Sequence, residues 1–374
     1  MARAPGKAGG PGVRPLRVVL VAGTRPEAIK LAPLVLAARA FSGLRTFFIH
    51  TGQHGALFHQ ALRPFGVRLD AMLNAAVEGL SPDDQAERIR MALPELLAAF
   101  LPDLVLVQGD TTSAWAAAHA AHGMGLAVGH VEAGLRSGDR NLPWPEERNR
   151  IEIDDLAAIL FAPSRGAAAN LRRERVNGHI VVTGNTGIDA LMQVRPGAAP
   201  MLAEPGRHIL LTCHRRENQS DAGARICVAL RKLLGRARDR RATVYLHPNP
   251  AAAAGLRNGL RDMPAVALVD PVPFPDMIAA LDRADLVMSD SGGLQEECAA
   301  LGTPLLVLRA NSERPEVIEN GNARLVGTGV RAIVDAAEAI LADTATRARM
   351  SRPFLPYGAG DAAPRILHAI MDFM

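Results

Sequence analysis

Leu16-Arg17-Val18-Val19-Leu20-Val21-Ala22-Gly23-Thr24-Arg25-Pro26-Glu27 is the stretch whose reading decides the fold class. The run 16–22 is short, apolar and β-branched, the type buried on both faces of a parallel sheet. Gly23 and Pro26 break it, and a helical pattern follows at Ile29, Leu31, Leu34 and Leu36. Strand, Gly turn and helix N-terminus form one βα unit, and such a turn offers backbone N–H groups to an anion.

The same unit recurs along the chain. Strands are expected over 45–50, 103–108, 126–131 and 158–162, and a further one over 180–183 leads into Gly184-Asn185-Thr186-Gly187. The first three run into Thr51-Gly52-Gln53-His54, Gly109-Asp110-Thr111-Thr112-Ser113 and Glu132. Between them lie helical patterns over 57–65, 82–100 (with Pro94 a site for a kink), an Ala-rich stretch ending near Gly123, and 166–175. A Pro/Gly/Ala-rich linker over 195–206 precedes a second series: strands over 208–212, 242–246, 266–269, 286–289 and 304–308, and helices over 223–236, 276–284, 294–301 and 330–342. A last helix is expected over 363–373. Alternating β and α with polar strand ends indicates an α/β fold whose parallel sheets hold ligands at the carboxyl ends of their strands. The expected division is a tail over 1–15, an N-terminal Rossmann-like domain over 16–190 completed by the final segment 357–374, and a second Rossmann-like domain over 191–356.

Composition narrows the function. Of 374 residues 48% are hydrophobic, enough for two cores. The net charge is +4, with no Lys/Arg run longer than two and no aromatic interleaving, so nucleic acid is a poor partner and an anionic small substrate a better one. Three cysteines without CxxC spacing argue for a reducing compartment and no disulfide framework; Cys213, Cys227 and Cys298 read as core fillers. The N-terminal segment lacks the apolar region of a signal peptide, and no uncharged apolar run approaches the roughly 18 residues that span a bilayer. A cytoplasmic protein with no membrane partner is expected. No HExxH or CxxC, no GxGxxG after the first strand and no Walker A motif is present, so no metal and no NAD or ATP cofactor is expected.

The chemistry concentrates in Gly129-His130-Val131-Glu132-Ala133-Gly134-Leu135-Arg136 and the following Pro143-Trp144-Pro145-Glu146-Glu147-Arg148-Asn149-Arg150. Asp110 and Glu132 end successive strands and Glu146 opens a helix. Three converging carboxylates repel unless cations intervene, and Arg25, Arg136 and Arg150 are candidates. The plainer reading makes Asp110 the cap of the Ala-rich helix and Glu146 a first-turn acid. Glu147, Arg148, Glu152 and Asp155 read as a solvated helix face. In the second series, Asp290-Ser291-Gly292-Gly293 is either a phosphate-binding turn, with Glu297 one turn on, or an ordinary βα turn capped by Ser291. His214-Arg215-Arg216 either holds a diphosphate or is a solvated basic loop. His247, before Pro248-Asn249-Pro250, reads at least as well as part of a rigid turn.

Taken together, Gly23-Thr24-Arg25-Pro26-Glu27-Ala28-Ile29-Lys30, Gly109-Asp110-Thr111-Thr112, the segments 130–136 and 143–150, His214–Asn218, 289–297 and Glu313-Arg314-Pro315-Glu316 resemble the non-hydrolysing UDP-N-acetylglucosamine 2-epimerases. With 356–360 the resemblance covers residue 23 to about residue 360. It implies a GT-B-like fold, two Rossmann-like domains with parallel sheets facing across a cleft, and a last helix that returns to the first domain. It implies a homodimer, a role in cell-surface polysaccharide biosynthesis, and interconversion of UDP-GlcNAc and UDP-ManNAc by UDP elimination to 2-acetamidoglucal and re-addition, without a cofactor. By resemblance Asp110, Glu132 and Glu146 are the catalytic carboxylates, Glu132 foremost as acid/base. Arg150 belongs with them, and His214 stabilises the departing diphosphate. Arg25, Lys30, Ser291, Gly292, Gly293, Glu297 and Arg314 bind UDP and sugar. A loop over 272–277 holds uracil, with Phe274 stacking, Val272 offering its backbone, and Met277 closing the loop.

The chain departs from the family at Gly55-Ala56 and Ala75-Ala76-Val77-Glu78, near the expected allosteric residues Gln53, His54 and Arg215. It departs again at Ala310-Asn311-Ser312 and at Cys213. Competing readings are a hydrolysing epimerase, disfavoured by Arg25–Lys30, and a sister epimerase acting on a UDP-2,3-diacetamido-glucuronic acid. Beyond these stand a GT-B glycosyltransferase and an inactive UDP-sugar-binding regulator.

Overall fold

The computed structural model describes residues 14–73, 75, 80–195, 207–215, 218 and 221–374. Most of the expected tail and linker, Ala76-Val77-Glu78 and Arg216 lie outside the described residues. Arg14, expected in the tail, is instead held by Asp103, to which its guanidinium donates at 2.9 and 2.6 Å.

The chain divides into two compact units. The first runs to Ala190 and is rejoined by Tyr357–Met374; the second is Leu191–Pro356. In the first, β1 (Leu16–Ala22), α1 (Arg25–Ala38), β2 (Leu44–His50), α2 (Gly55–Leu62), β3 (Ala71–Met72) and α3 (Pro82–Phe100) are followed by β4 (Leu104–Gln108), α4 (Thr112–Gly123), β5 (Ala127–Val131), α5 (Glu146–Leu156), β6 (Ile159–Ala162), α6 (Arg165–Glu174) and β7 (His179–Val182). α7 (Thr186–Val194) crosses the boundary between the units. The second holds β8 (Arg207–Thr212), α8 (Asp221–Gly235), β9 (Arg240–Tyr245), α9 (Pro250–Leu260), β10 (Val266–Val269), α10 (Phe274–Arg283), β11 (Leu286–Ser289), α11 (Gly292–Leu301), β12 (Leu305–Val307), α12 (Pro315–Glu319), β13 (Ala323–Leu325), α13 (Val330–Leu341) and α14 (Thr344–Met350). Finally α15 (Ala362–Phe373) belongs to the first unit.

Each unit is built on one all-parallel sheet, ordered β3-β2-β1-β4-β5-β6-β7 in the first and β10-β9-β8-β11-β12-β13 in the second. Both orders reverse direction beside their first strand, between β1 and β4 and between β8 and β11. Crossover helices leave these switch points on opposite faces of the sheet, which opens a crevice at the strands' carboxyl ends. The loop after β1 leads into Arg25 at the start of α1 and that after β4 carries Asp110; those after β8 and β11 carry His214 and Ser291. Val19, Val21, Val105 and Val107 join Ile89, Leu93 and Leu97 of α3 in one core of the first unit. Ile209, Leu211 and Val244 pack with Leu230, Leu233 and Ile340 in the second.

Several elements differ from the expectation. α9 begins at the expected Pro248–Pro250 turn, because Asn249 accepts from Ala251 N at 2.9 Å and Pro250 suits the first helical position. α10 begins at Phe274, two residues early, so Phe274 and Met277 lie on a first helical turn and not in a loop; Pro275 presets that turn. The Gly184–Gly187 turn opens α7, with Asn185 Oδ1 accepting from Gly187 N at 2.9 Å. Asp189, on α7, accepts from Ala362 N and Ala363 N at 3.1 and 2.8 Å and so caps the returning helix α15.

Candidate active site

In the first unit, the carboxyl ends of β1, β4 and β5 come together around buried carboxylates. Glu27, in the first turn of α1, is fully buried and accepts from Gly23 N at 3.1 Å, Thr24 N at 2.7 Å, and the hydroxyls of Thr24 and Thr111 at 2.7 and 2.9 Å. It thus ties the turn before Arg25 to the turn after Asp110. Burial pushes its carboxyl up to about 7, against the lowering effect of those four donors. Gly23 cannot carry a side chain here: a Cβ would stand 1.9 Å from Ser113 Oγ and 2.3 Å from Thr51 Oγ1. Those hydroxyls are bonded to each other at 2.7 Å, and Ser113 donates to Gln53 Oε1 at 2.7 Å. His54 Nδ1 accepts from Arg25 N at 3.1 Å. Gln53 and His54, expected at an allosteric site, therefore also brace the turn that carries Arg25.

Glu132 follows β5 with φ +72°. The other described non-glycine residues with positive φ, Leu101 and Arg175, are C-caps of α3 and α6, where a left-handed residue is routine. Glu132 has no such excuse, and backbone strain of this kind collects at functional sites. Its Oε2 accepts from Lys30 Nζ at 2.5 Å and from Gln108 Nε2 at 2.7 Å, and its side chain is 7% exposed. Lys30, expected among the substrate-binding residues, thus stands beside Glu132 as a counter-ion.

Asp110 is ion-paired with Arg150, and Asn149 Nδ2 donates to the Asp110 carbonyl at 2.9 Å. The cap of α4 is not Asp110 but Thr111, whose hydroxyl accepts from Ala114 N at 3.0 Å; the Asp110 carboxylate is given to Arg150. Glu146 is the first residue of α5 and half-buried, so its first-turn placement holds. Glu147 corrects the expected solvated face. It is 2% exposed, pairs with Arg150 Nη1 at 3.1 Å and accepts from Ser137 N at 3.0 Å. Burial raises its carboxyl, and Arg150 opposes the rise. Glu147, Arg150 and Asp154 share one face of α5 at i, i+3 and i+7, a spacing that could have marked the face as buried and charge-paired. Arg148 and Asp155 are exposed as expected. Arg136 does not serve the three carboxylates: its guanidinium pairs with Asp154 at 2.8 Å and Glu174 at 2.5 Å.

In the second unit, Asp290, the first residue of the Asp290–Gly293 turn, is the anchor. Fully buried after β11, it accepts from His214 N at 3.0 Å, Arg215 N at 3.0 Å and Asn218 Nδ2 at 2.9 Å. It holds the loop after β8 against the turn after β11. The His214 ring lies 5.4 Å from that of His247, whose Nδ1 accepts from Asn249 N at 2.9 Å. His247 is thus engaged with its own Pro248–Pro250 turn, and burial lowers its imidazole.

Ser291 is the N-cap of α11, and Gly292 and Gly293 are its first residues. Gly292 is required by Arg314, since a Cβ there would come within 2.7 Å of its Nη1. That guanidinium cannot easily retreat: it is 5% exposed and its Nε donates to Glu296 at 2.9 Å. Glu313, beside it, accepts from Arg309 at 2.8 and 2.9 Å and lies 3.7 Å from Arg215. Ser312, in the divergent Ala310–Ser312 segment, donates to Gln295 of α11 at 2.5 Å and accepts from Arg314 N at 3.0 Å. Glu297 is half-buried one turn into α11, and Phe274 is buried at the start of α10, after Val272. Burial raises the thiols of Cys227 and Cys298, as suits core residues. Among the described residues no group of three or more His, Cys, Asp or Glu is arranged to hold a metal, and no helix is long and apolar enough to cross a membrane.

The chain is 39% identical over 371 residues to the UDP-N-acetylglucosamine 2-epimerase of Escherichia coli K12, covering 96% of this chain and 99% of that one. It superposes on the crystal structure of UDP-GlcNAc 2-epimerase from Neisseria meningitidis bound to UDP-GlcNAc with TM-score 0.92 and 33% identity, covering 96% and 100% of the two chains. The Methanocaldococcus jannaschii UDP-GlcNAc 2-epimerase in complex with UDP-GlcNAc and UDP matches with TM-score 0.86 and 30% identity, covering 96% and 100%. The fold is GT-B-like, with two Rossmann-like parallel-sheet units. The UDP-N-acetylglucosamine 2-epimerase family model matches residues 36–371, and the chain belongs to that family.

Proposed function

We propose that the protein interconverts UDP-GlcNAc and UDP-ManNAc without hydrolysis, through elimination and re-addition of UDP. The observation that carries the reading is the pair of cation-held carboxylates at the carboxyl ends of β4 and β5 in the first unit, Glu132 buried and Asp110 half-buried. Glu132 is strained and gripped by Lys30 and Gln108, and Asp110 is paired with Arg150. Inversion at C2 needs a proton removed from one face and delivered to the other, and positioned side chains do this work. The C2 proton is not acidic enough for simple abstraction. In the proposed route the C1–O bond breaks with its electron pair leaving on the diphosphate, and the C2 proton passes to a carboxylate. This gives 2-acetamidoglucal and UDP. A carboxylic acid then delivers a proton to the opposite face of C2 while a diphosphate oxygen re-forms the bond to C1. Electrons balance, so no redox cofactor takes part.

Glu132 is the leading acid/base, with Asp110 and Glu146 completing the set and Arg150 holding Asp110. In the second unit His214, whose backbone is pinned by Asp290, stabilises the diphosphate. Ser291, Gly292, Gly293 and Arg314 bind phosphate, Glu297 the ribose, and Val272, Phe274 and Met277 the uracil; Arg25 and Lys30 complete the sugar side. The titled complexes of the Neisseria and Methanocaldococcus proteins support UDP-GlcNAc as substrate. The test is product analysis by anion-exchange chromatography. UDP-GlcNAc is expected to equilibrate with UDP-ManNAc while the UDP-sugar total stays constant. Accumulation of free UDP with ManNAc would instead mark a hydrolysing enzyme, and an unchanged substrate a binding protein.

A further inference from the structure

Asp154 takes no step in the reaction above, yet it is fully buried, lies on the helix that Glu146 opens, and bonds to residues on either side of Glu132. It lies on α5, one turn beyond Arg150 on the helix that Glu146 opens. Its Oδ1 faces His130 Nδ1 at 2.7 Å, and the other ring nitrogen, Nε2, donates to the Gly109 carbonyl at 2.8 Å. Its Oδ2 accepts from Gly134 N at 3.1 Å and pairs with Arg136 at 2.8 Å. Gly109 directly precedes Asp110, and His130 and Gly134 flank Glu132 at two residues on either side.

The chemistry of the imidazole makes this a rigid link. A carbonyl has no proton to give, so Nε2 carries the hydrogen. Nδ1 lies against Oδ1 with both side chains fully buried, so the ring bridges the Gly109 carbonyl and the Asp154 carboxylate. We infer that Asp154 is a positioning residue that, through His130 and Gly134, fixes the segments bearing Asp110, Glu132 and Glu146 against one another. The inference rests on the acid/base role proposed for those carboxylates. A misplacement of about 1 Å in a reacting group can cost about 100-fold in rate.

The test compares Asp154→Ala, Asp154→Asn and His130→Asn with wild type, each normalised to the fraction that binds UDP. Asp154→Ala cuts the link and is expected to lower kcat by about 10–100-fold, with KM within about threefold and UDP affinity unchanged. Asp154→Asn is expected to recover most of kcat, because its amide donates to Nδ1 and its carbonyl accepts from Gly134. His130→Asn keeps a group that can bond Asp154 but drops the bond to Gly109, and is expected to lose kcat like Asp154→Ala. Unchanged kcat in Asp154→Ala and His130→Asn, whatever their melting temperatures, overturns the inference. So does a parallel loss of UDP affinity, which would mark general collapse. A wild type without turnover in the same assay fails the activity reading itself, whereas an active wild type with indifferent variants fails only the role of Asp154.

Discussion

Glu132→Gln is expected to lower kcat by about 10³-fold or more while UDP affinity stays within about twofold, the span that loss of a general acid/base commonly produces. Gln has nearly the size of Glu and keeps a carbonyl oxygen that can accept from Lys30 or Gln108, so the fold has little reason to fail. What it lacks is the capacity to exchange a proton. Its backbone would still carry the φ of +72° imposed by the loop after β5. The variant should therefore separate chemistry from binding: steady-state turnover collapses, while calorimetric titration with UDP reports an intact second unit. Exchange at the wild-type rate would remove Glu132 from the mechanism and move the acid/base role to Asp110 or Glu146.

Arg150→Met is expected to cost about 3–5 kcal/mol of stability and to abolish turnover, the range for removing one partner of a buried ion pair. Arg150 is 4% exposed and serves two carboxylates through separate nitrogens, Asp110 through Nη2 and Glu147 through Nη1. Without it, Glu147 is left as a buried charge, and Asp110 loses the partner that fixes it. Arg150→Lys should recover only part of either effect, because one ammonium cannot reproduce a two-pronged guanidinium. Adding Glu147→Gln to Arg150→Met should recover stability without activity, since it neutralises the stranded charge but leaves Asp110 unheld. Urea denaturation at pH 7 measures these differences. A loss below about 1 kcal/mol would place the pair with exposed salt bridges and contradict the buried cluster.

Much of this arrangement was legible because parallel strands announce themselves twice, as apolar runs and as the polar residues at their ends. β1, β10 and β11 fall where the apolar runs put them, and Asp110 and Glu132 were singled out by standing just past such runs. The strand order was not legible: each βα unit states that a crossover occurs, not which side of the sheet it takes. Local turn chemistry misled at α7 and α9, where Asn, Pro and Gly read as loop signals are the capping residues of helices. Glu147 was misread because periodicity assigns charged residues to solvent, whereas a charge facing its own counter-ion can be buried. Lys30 pairs with Glu132 across 102 positions of sequence, and no local pattern encodes such a contact. Glu27 could have been found, since Thr24 followed three residues later by Glu is the signature of a capping box; its further bond to Thr111 could not.

The most direct test of the central claim is wild-type turnover of UDP-GlcNAc in D₂O, followed by NMR of the C2 position. Elimination and re-addition predict deuterium at C2 of the UDP-ManNAc formed, and its gradual entry into the UDP-GlcNAc pool at equilibrium. UDP-ManNAc that forms with its original C2 proton retained, or a substrate that neither exchanges nor yields a second sugar, would contradict the account.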